Sequence, residues 1–237
     1  MNKKLVKFLD STFYAKTEDR WDDKIFRKEI LDAIKPSYIV LDVGAGRGRI
    51  LEMNFKGLCE KIYGIDPDEG IFENPIIDKG YLGLADSMPF FEDNYFDLIF
   101  CDNVLEHVEN PTPFYNEIYR VLKDKGVFLS KTPNKYHYMP TIARCTPTSF
   151  HKFYNKMRGR AYDDTFPTFY RANTKKAYKK FAKASKLKLT STKCFSGRPE
   201  YLRIFFITYI FGIIYERTVN FLKLNSLKAI VISKMEK

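Results

Sequence analysis

The run Leu41-Asp42-Val43-Gly44-Ala45-Gly46-Arg47-Gly48 constrains this chain most. An apolar, β-branched stretch from Tyr38 to Val43 reads as a buried strand, and it breaks into three glycines at alternate positions. Glycines directly after a strand turn the backbone tightly and let it approach a ligand closely. The pattern is not the dinucleotide fingerprint GxGxxG, because Arg49 stands where the last glycine belongs. It is not a P-loop either, since GxxxxGK followed by Ser or Thr is absent. Asp42 would repel a pyrophosphate but suits a cation, such as the amino group or sulfonium of S-adenosylmethionine.

Around this turn, strand and helix alternate. Residues 12–34 read as one or two helices, stopped by Pro36. GAGRGRILEMNF reads as a glycine turn opening a helix. Strands follow at Lys61 to Asp66, Gly80 to Ala85, Phe96 to Cys101 and Gly126 to Lys131, with a helix containing LEHV after the fourth strand. That spacing predicts an α/β, Rossmann-like, doubly wound, mostly parallel sheet, with ligands at the carboxyl ends of its strands. After Pro133 the pattern changes to a proline- and aromatic-rich stretch, read as a substrate lid. A helix capped by Asn173, a sixth strand over Leu187 to Phe195, an apolar helix over about 199–224 and a seventh strand over Leu227 to Ser233 complete the chain. One domain is expected, organised as a helical cap (1–35), a cofactor-binding core (36–132), a lid insertion (133–172) and a C-terminal part (173–237).

The companions of the glycine turn sharpen its meaning. Asp66 ends the second strand eighteen residues after Gly48, where a carboxylate accepts both hydroxyls of a ribose. Asp86 follows the third strand, placed to accept from an exocyclic amine of adenine. DVGAGRG, GIDPD, ADSMPFFEDNYFDLIFCDNVLEHV and EIYRVLKDKGVFLSKTPN, in this order, resemble the class I S-adenosylmethionine-dependent methyltransferases. Within that class the chain looks like the broad group that includes the quinone-biosynthesis methyltransferases. The lid also resembles bacterial methyltransferases of glycan assembly. The resemblance covers about residues 38–134 and implies a seven-stranded sheet whose last strand is antiparallel.

It also implies roles. Asp42 and the backbone of Gly44, Gly46 and Gly48 hold the methionine part of the cofactor, Asp66 the ribose, and Asp86 with the Ser87 backbone the adenine. Cys101 and Asp102 line its far side, although the family usually has a small or polar residue where Asp102 stands. His107, in LEHV, is read as structural or cofactor-side. If the acceptor is a hydroxyl, a base helps, and His137, just after the fifth strand, ranks ahead of His151. Arg158, Tyr170 and Arg171 are placed to grip a phosphate or carboxylate.

Charge is divided along the chain. Residues 1–130 carry 17 basic and 24 acidic side chains, and residues 131–237 carry 23 and 5, so net −7 is followed by net +18. The basic half implies an anionic acceptor. Ile204 to Ile214 is apolar apart from Thr208 and Gly212, with no polar face on a helical wheel. Three readings of 201–224 stand open: burial against the protein or a second copy in a homodimer, insertion into an anionic membrane surface, or a short re-entrant element. The four cysteines are widely spaced and form no metal motif, and the N-terminus lacks an apolar signal core, so a cytoplasmic protein is expected, peripheral on the inner face of the membrane if 201–224 meets lipid. The leading expectation is methyl transfer from S-adenosylmethionine to a small or lipid-linked anionic acceptor, at oxygen. An RNA or DNA methyltransferase and a non-enzymatic cofactor-binding regulator or membrane adaptor are the alternatives. Against nucleic acid, the fourth strand ends in CDNV rather than an NPPY-type cluster.

Overall fold

A computed structural model describes residues 3–17, 21–145 and 166–237. The strands are β1 (Ile39–Val43), β2 (Lys61–Asp66), β3 (Lys79–Leu82), β4 (Phe96–Asp102), β5 (Leu122–Pro133), β6 (Lys188–Phe195) and β7 (Ile230–Glu236). They form one sheet in the order β3-β2-β1-β4-β5-β7-β6. The first five pair in parallel. β7 runs antiparallel to β5, because the Lys125 N–H donates to the Lys237 carbonyl at one end while Ser130 Oγ meets Ser233 Oγ at 2.7 Å midway. The order reverses between β1 and β4, and Val43 pairs with both Ile65 and Cys101. The carboxyl ends of β1, β2 and β4 therefore meet at the switch point, where such sheets bind ligands.

Strands buried on both faces need apolar side chains on both. Val40, Leu41, Ile62, Leu98, Ile99 and Phe100 are all fully buried. α2 (Trp21–Leu31) and the link after β1 send Phe26 and Phe55 edge-on against Phe100. α3 (Pro111–Val121) is capped by Asn110, whose side chain accepts from the Thr112 N–H, with Pro111 opening the first turn. After α4 (Tyr138–Cys145), α5 (Lys175–Ala184) packs on α3 through Tyr115 and Phe181, stacked 5.5 Å apart. Its lysines 175, 176, 179, 180 and 183 form an exposed face. The cap of α5 is Thr174, which accepts from the Ala177 N–H at 3.1 Å; Asn173, expected there, is buried and serves Thr132 instead.

The helices expected after the glycine turn and across LEHV are not formed. A single 3-10 turn, Leu51–Met53, follows the glycines, and LEHV is a turn. Arg27 accounts for the first. It takes the carbonyls of Glu52 and Asn54, at 2.6 and 2.8 Å, which a continuing helix would need.

Contacts divide the chain into two compact units. One comprises Asp23–Thr132, Thr168–Lys193 and Val231–Lys237, and carries nearly all of the sheet. The other comprises Met1–Asp22, Pro133–Pro167 and Cys194–Ile230, with α1 (Lys3–Phe13), α4 and α6 (Phe206–Phe221). In this second unit α1 and α6 pack through Leu9, Tyr209 and Ile213. Arg203 pairs with Asp10, and the Tyr209 hydroxyl donates to the same carboxylate. α6 is not apolar-buried all round. Tyr209, Gly212, Ile213, Glu216 and Val219 face inward, while Ile207, Phe211 and Ile214 are 66%, 63% and 56% exposed. No described helix is long and apolar enough to cross a membrane.

One cation lies inside the sheet unit at 0% exposure: Lys131, at the end of β5. It pairs with Asp102 of β4 at 2.9 Å and with Asp23 of α2. Removing a partner from a buried ion pair strands the opposite charge. Lys131→Met is expected to lower unfolding free energy by about 3–5 kcal/mol in urea titrations. Lys193→Met, which loses a half-exposed pair with Glu29, is expected to cost about 1 kcal/mol or less.

Candidate cofactor site

The turn after β1 holds Gly44, Gly46 and Gly48 at φ of 77°, 49° and 66°, left-handed backbone that other residues enter only with strain. Space demands glycine at two of them. A Cβ on Gly44 would lie 2.3 Å from Val104 Cγ2, and one on Gly48 2.3 Å from Asn74 Oδ1. Asn74 fixes the turn from below, donating to the carbonyls of Ala45 and Gly46 at 3.0 Å each. Gly46 differs. A Cβ there would meet only Asp66 Oδ2, at 3.8 Å, so its outer side is clear.

Asp66 is set by the same backbone. Its Oδ2 accepts from the Gly46 N–H at 2.9 Å and its Oδ1 from the Asp68 N–H at 2.8 Å. The carboxylate ending β2 is thus aimed beside the open glycine, with lone pairs left for a diol. Burial raises its pKa from the ordinary value, against the pull of those two N–H groups.

Asp42 lies deeper. Burial pushes its carboxyl well above the ordinary value, and the charges of Asp102 and Asp66 push it further. Cys101 is buried next to Asp102, and its thiol is raised by burial first and by Asp102 second. Two residues that sequence reasoning missed complete the cluster. Lys131 holds Asp102. Glu106 is buried, with Oε2 accepting from Thr132 Oγ1 at 2.9 Å, and burial pushes its carboxyl up to about 7. Asn173 braces Thr132 in turn. Lys131 is marked in the sequence only as a lysine closing the apolar run VFLS, where a buried charge requires a partner.

The other expected residues are placed as follows. Asp86 and Ser87 are exposed in the turn after β3, and the Ser87 N–H donates to the Leu84 carbonyl at 3.2 Å. His107 is half-buried in the turn after β4. Tyr170 is buried with φ 51°, its N–H donating to the Glu106 carbonyl at 3.3 Å, and Arg171 donates to the Glu109 carbonyl at 2.7 Å. All of these belong to the sheet unit; His137 belongs to the other. There its ring is buried, with Nε2 on Glu216 at 3.0 Å and Nδ1 accepting from the Met139 N–H at 3.4 Å. Both nitrogens are engaged. His151 and Arg158 lie outside the described residues.

The cluster fits a cationic cofactor. Asp23, Asp42, Asp102 and Glu106 are buried beside one lysine, an excess of acid that burial relieves by protonation and a bound cation would relieve by charge. Asp42 and the glycine backbone would hold the amino-acid part of S-adenosylmethionine, and Asp66 its ribose. The sign of the pH dependence follows. Because the Asp42 pKa is raised in the free protein, binding a cation below that pKa must expel a proton, so affinity should tighten as pH rises. Calorimetry in buffers of different ionisation enthalpy should register the released proton. Asp42→Asn should lose that pH dependence and about tenfold or more in affinity.

Residues 41–130 match the family model for a methyltransferase domain. A probable S-adenosylmethionine-dependent methyltransferase of Mycolicibacterium smegmatis is 31% identical over 118 residues, covering 47% of this chain and 44% of that protein. The chain spans less than half the length of the curated relatives it matches. Among solved structures, a Bacillus halodurans C-125 protein provisionally assigned as a methyltransferase superposes with a TM-score of 0.57 at 21% identity, over 91% of this chain and 99% of that one. Geranyl diphosphate C-methyltransferase from Streptomyces coelicolor A3(2), solved with S-adenosyl-L-homocysteine, gives 0.54 at 12% identity, over 91% and 75%. These neighbours share the fold. The glycine turn, Asp42 and Asp66 thus lie within the stretch that is similar to a methyltransferase domain.

Proposed function

We propose that the chain is an S-adenosylmethionine-dependent methyltransferase whose acceptor is an amphiphilic anion, such as a lipid-linked glycan, methylated at oxygen. The observation that carries the cofactor half is the open Gly46 turn with Asp66 fixed beside it and Asp42 buried behind it. When bound, the cofactor supplies an electrophilic sulfonium methyl. The protein then has to orient the acceptor and keep water out, which is mostly a matter of proximity. A hydroxyl acceptor must also lose a proton. Glu106, held by Thr132 and titrating near 7, is matched to take it at neutral pH.

The acceptor class is supported by α6 and α1. Ile207, Phe211 and Ile214 form an exposed stripe at i, i+4 and i+7, and Phe221 continues it. α1, in the same unit, exposes Leu5 and Phe8 with Lys4 and Lys7, and Arg217 and Lys223 are exposed on and just after α6. Apolar side chains flanked by cations suit an interface of anionic lipid, and this supports a peripheral position on a membrane.

Labelled methyl groups from the cofactor, incubated with a fractionated extract, should enter the lipid-soluble fraction; label confined to RNA or protein would overturn the acceptor class. The rate of transfer should rise through about pH 7. Glu106→Gln should lose that limb and about a hundredfold in kcat. The protein should float with anionic liposomes at low salt, and Ile207→Glu with Phe211→Glu should release it while cofactor affinity stays unchanged.

A further inference from the structure

Glu106 is held at two points by a stretch of chain remote in sequence. The Phe169 N–H donates to the Glu106 carbonyl at 2.7 Å, and the Tyr170 N–H donates to the same oxygen at 3.3 Å. On the carboxylate, Asn173 Nδ2 donates to Thr132 Oγ1, and Thr132 Oγ1 donates to Glu106 Oε2 at 2.9 Å. The direction follows from the chemistry of the groups. An amide N–H only donates and a hydroxyl has one proton, so the Thr132 proton is left for the carboxylate. Asn173 Oδ1 accepts in turn from the Ala172 N–H at 3.2 Å. All of these residues belong to the sheet unit.

Packing alone does not call for this arrangement. Thr132 and Asn173 are fully buried and Glu106 is buried with them, a depth at which polar side chains need partners. Tyr170, also buried, holds left-handed backbone at φ 51°, which residues other than glycine adopt only with strain. Asn173 precedes α5 but leaves its cap to Thr174. The strained turn and the inward amide share one recipient, Glu106. Three other titratable groups face that carboxylate: Lys131 from β5, Cys101 from β4 and Tyr178 from α5. Burial raises the thiol and the phenol, so both stay neutral. Lys131 favours the charged carboxylate, but it is paired with Asp102 and Asp23. The Thr132 proton is directed at Glu106.

We propose that Thr132 and Asn173 are positioning residues for the reaction: Asn173 holds the Thr132 hydroxyl in the orientation that donates to Glu106, and Thr132 fixes the carboxylate that receives the acceptor's proton. The assignment deepens the proposed function by naming what sets its base, and rests on that reading only for its connection to methyl transfer.

The test reads Glu106 first directly and then through the reaction. In the full chain labelled with carboxyl-13C glutamate, the Glu106 resonance, identified as the one missing from Glu106→Gln, should titrate at about 7. Thr132→Val removes a donor from the charged carboxylate, so the midpoint should rise, by about one pH unit. Thr132→Ser should restore it. Asn173→Ala frees the hydroxyl to turn away and should move the midpoint in the same direction by less; it carries the same test if Thr132→Val fails to fold. Methyl transfer from labelled S-adenosylmethionine into the lipid-soluble fraction should follow the midpoint. In Thr132→Val it should be about tenfold slower near pH 6 and close to the wild-type rate near pH 9, whereas a merely structural loss would slow it equally at both. A midpoint unmoved in either variant, or a rate lowered equally at both pH values, would overturn the proposal. A midpoint that moves as stated, with wild-type transfer indifferent to pH near 7, would defeat Glu106 as the base and leave its positioning by Thr132 and Asn173 standing.

Discussion

A lysine ammonium held wholly out of water is the constraint on which the sheet unit depends. Lys131 bridges Asp102 at the end of β4 and Asp23 on α2, so one cation ties a helix to two strands at their carboxyl edge. Desolvating it costs several kcal/mol, which only close partners offset. Those partners are not its only acidic neighbours: Asp42 and Glu106 are buried in the same cluster. Acid exceeds base there, and the structure answers by raising the carboxyl pKa values rather than by importing a second cation among the described residues. The charge imbalance that makes the free site costly is what makes a sulfonium-bearing ligand welcome.

The parts of the site legible in sequence are the local ones. Gly44, Gly46 and Gly48 are required by backbone sign and by Val104 and Asn74, and alternate glycines after a strand advertise that directly. Asp42 and Asp66 end or flank strands whose apolar runs are unambiguous. Lys131 and Glu106 were hidden because their meaning depends on partners remote in sequence. Lys131 closes a strand run as any surface lysine does, until β4 and α2 enclose it. Glu106 sits in LEHV, where the neighbouring histidine draws attention and the residue that binds Glu106, Thr132, is 26 positions away. Asn173 misled in a related way: it precedes a helix and looks like its cap, yet Thr174 caps and Asn173 turns inward.

The division of charge at residue 130 was also only partly informative. The basic half does not map onto one structural unit, because α5 with its five lysines packs on α3 beside the sheet, through Tyr178, Phe181 and Ala182. Those lysines form the solvated side of an amphipathic helix. Of the 23 cations in the basic half, 11 fall in the helical unit, six of them between residues 133 and 167 and five between 194 and 230.

α6 is where periodicity alone could not decide. Up to Ile214 its sequence is apolar on every side, so a helical wheel cannot say which side packs. The choice is made by α1: Leu9 meets Tyr209 and Ile213, and Asp10 engages Tyr209 and Arg203. Once that face is fixed, the angular position of every other residue follows. Glu216, seven residues beyond Tyr209 and two turns along the same face, is forced inward with a charge. Ile207, Phe211 and Ile214 are forced outward without one. A sequence selected only for packing would have exchanged these properties, placing an apolar residue at 216 and polar ones at 207, 211 and 214. The helix breaks both rules at once, and each violation has a partner chemistry that repairs it. A hydrogen-bond donor satisfies the inward carboxylate, and an apolar medium covers the outward stripe.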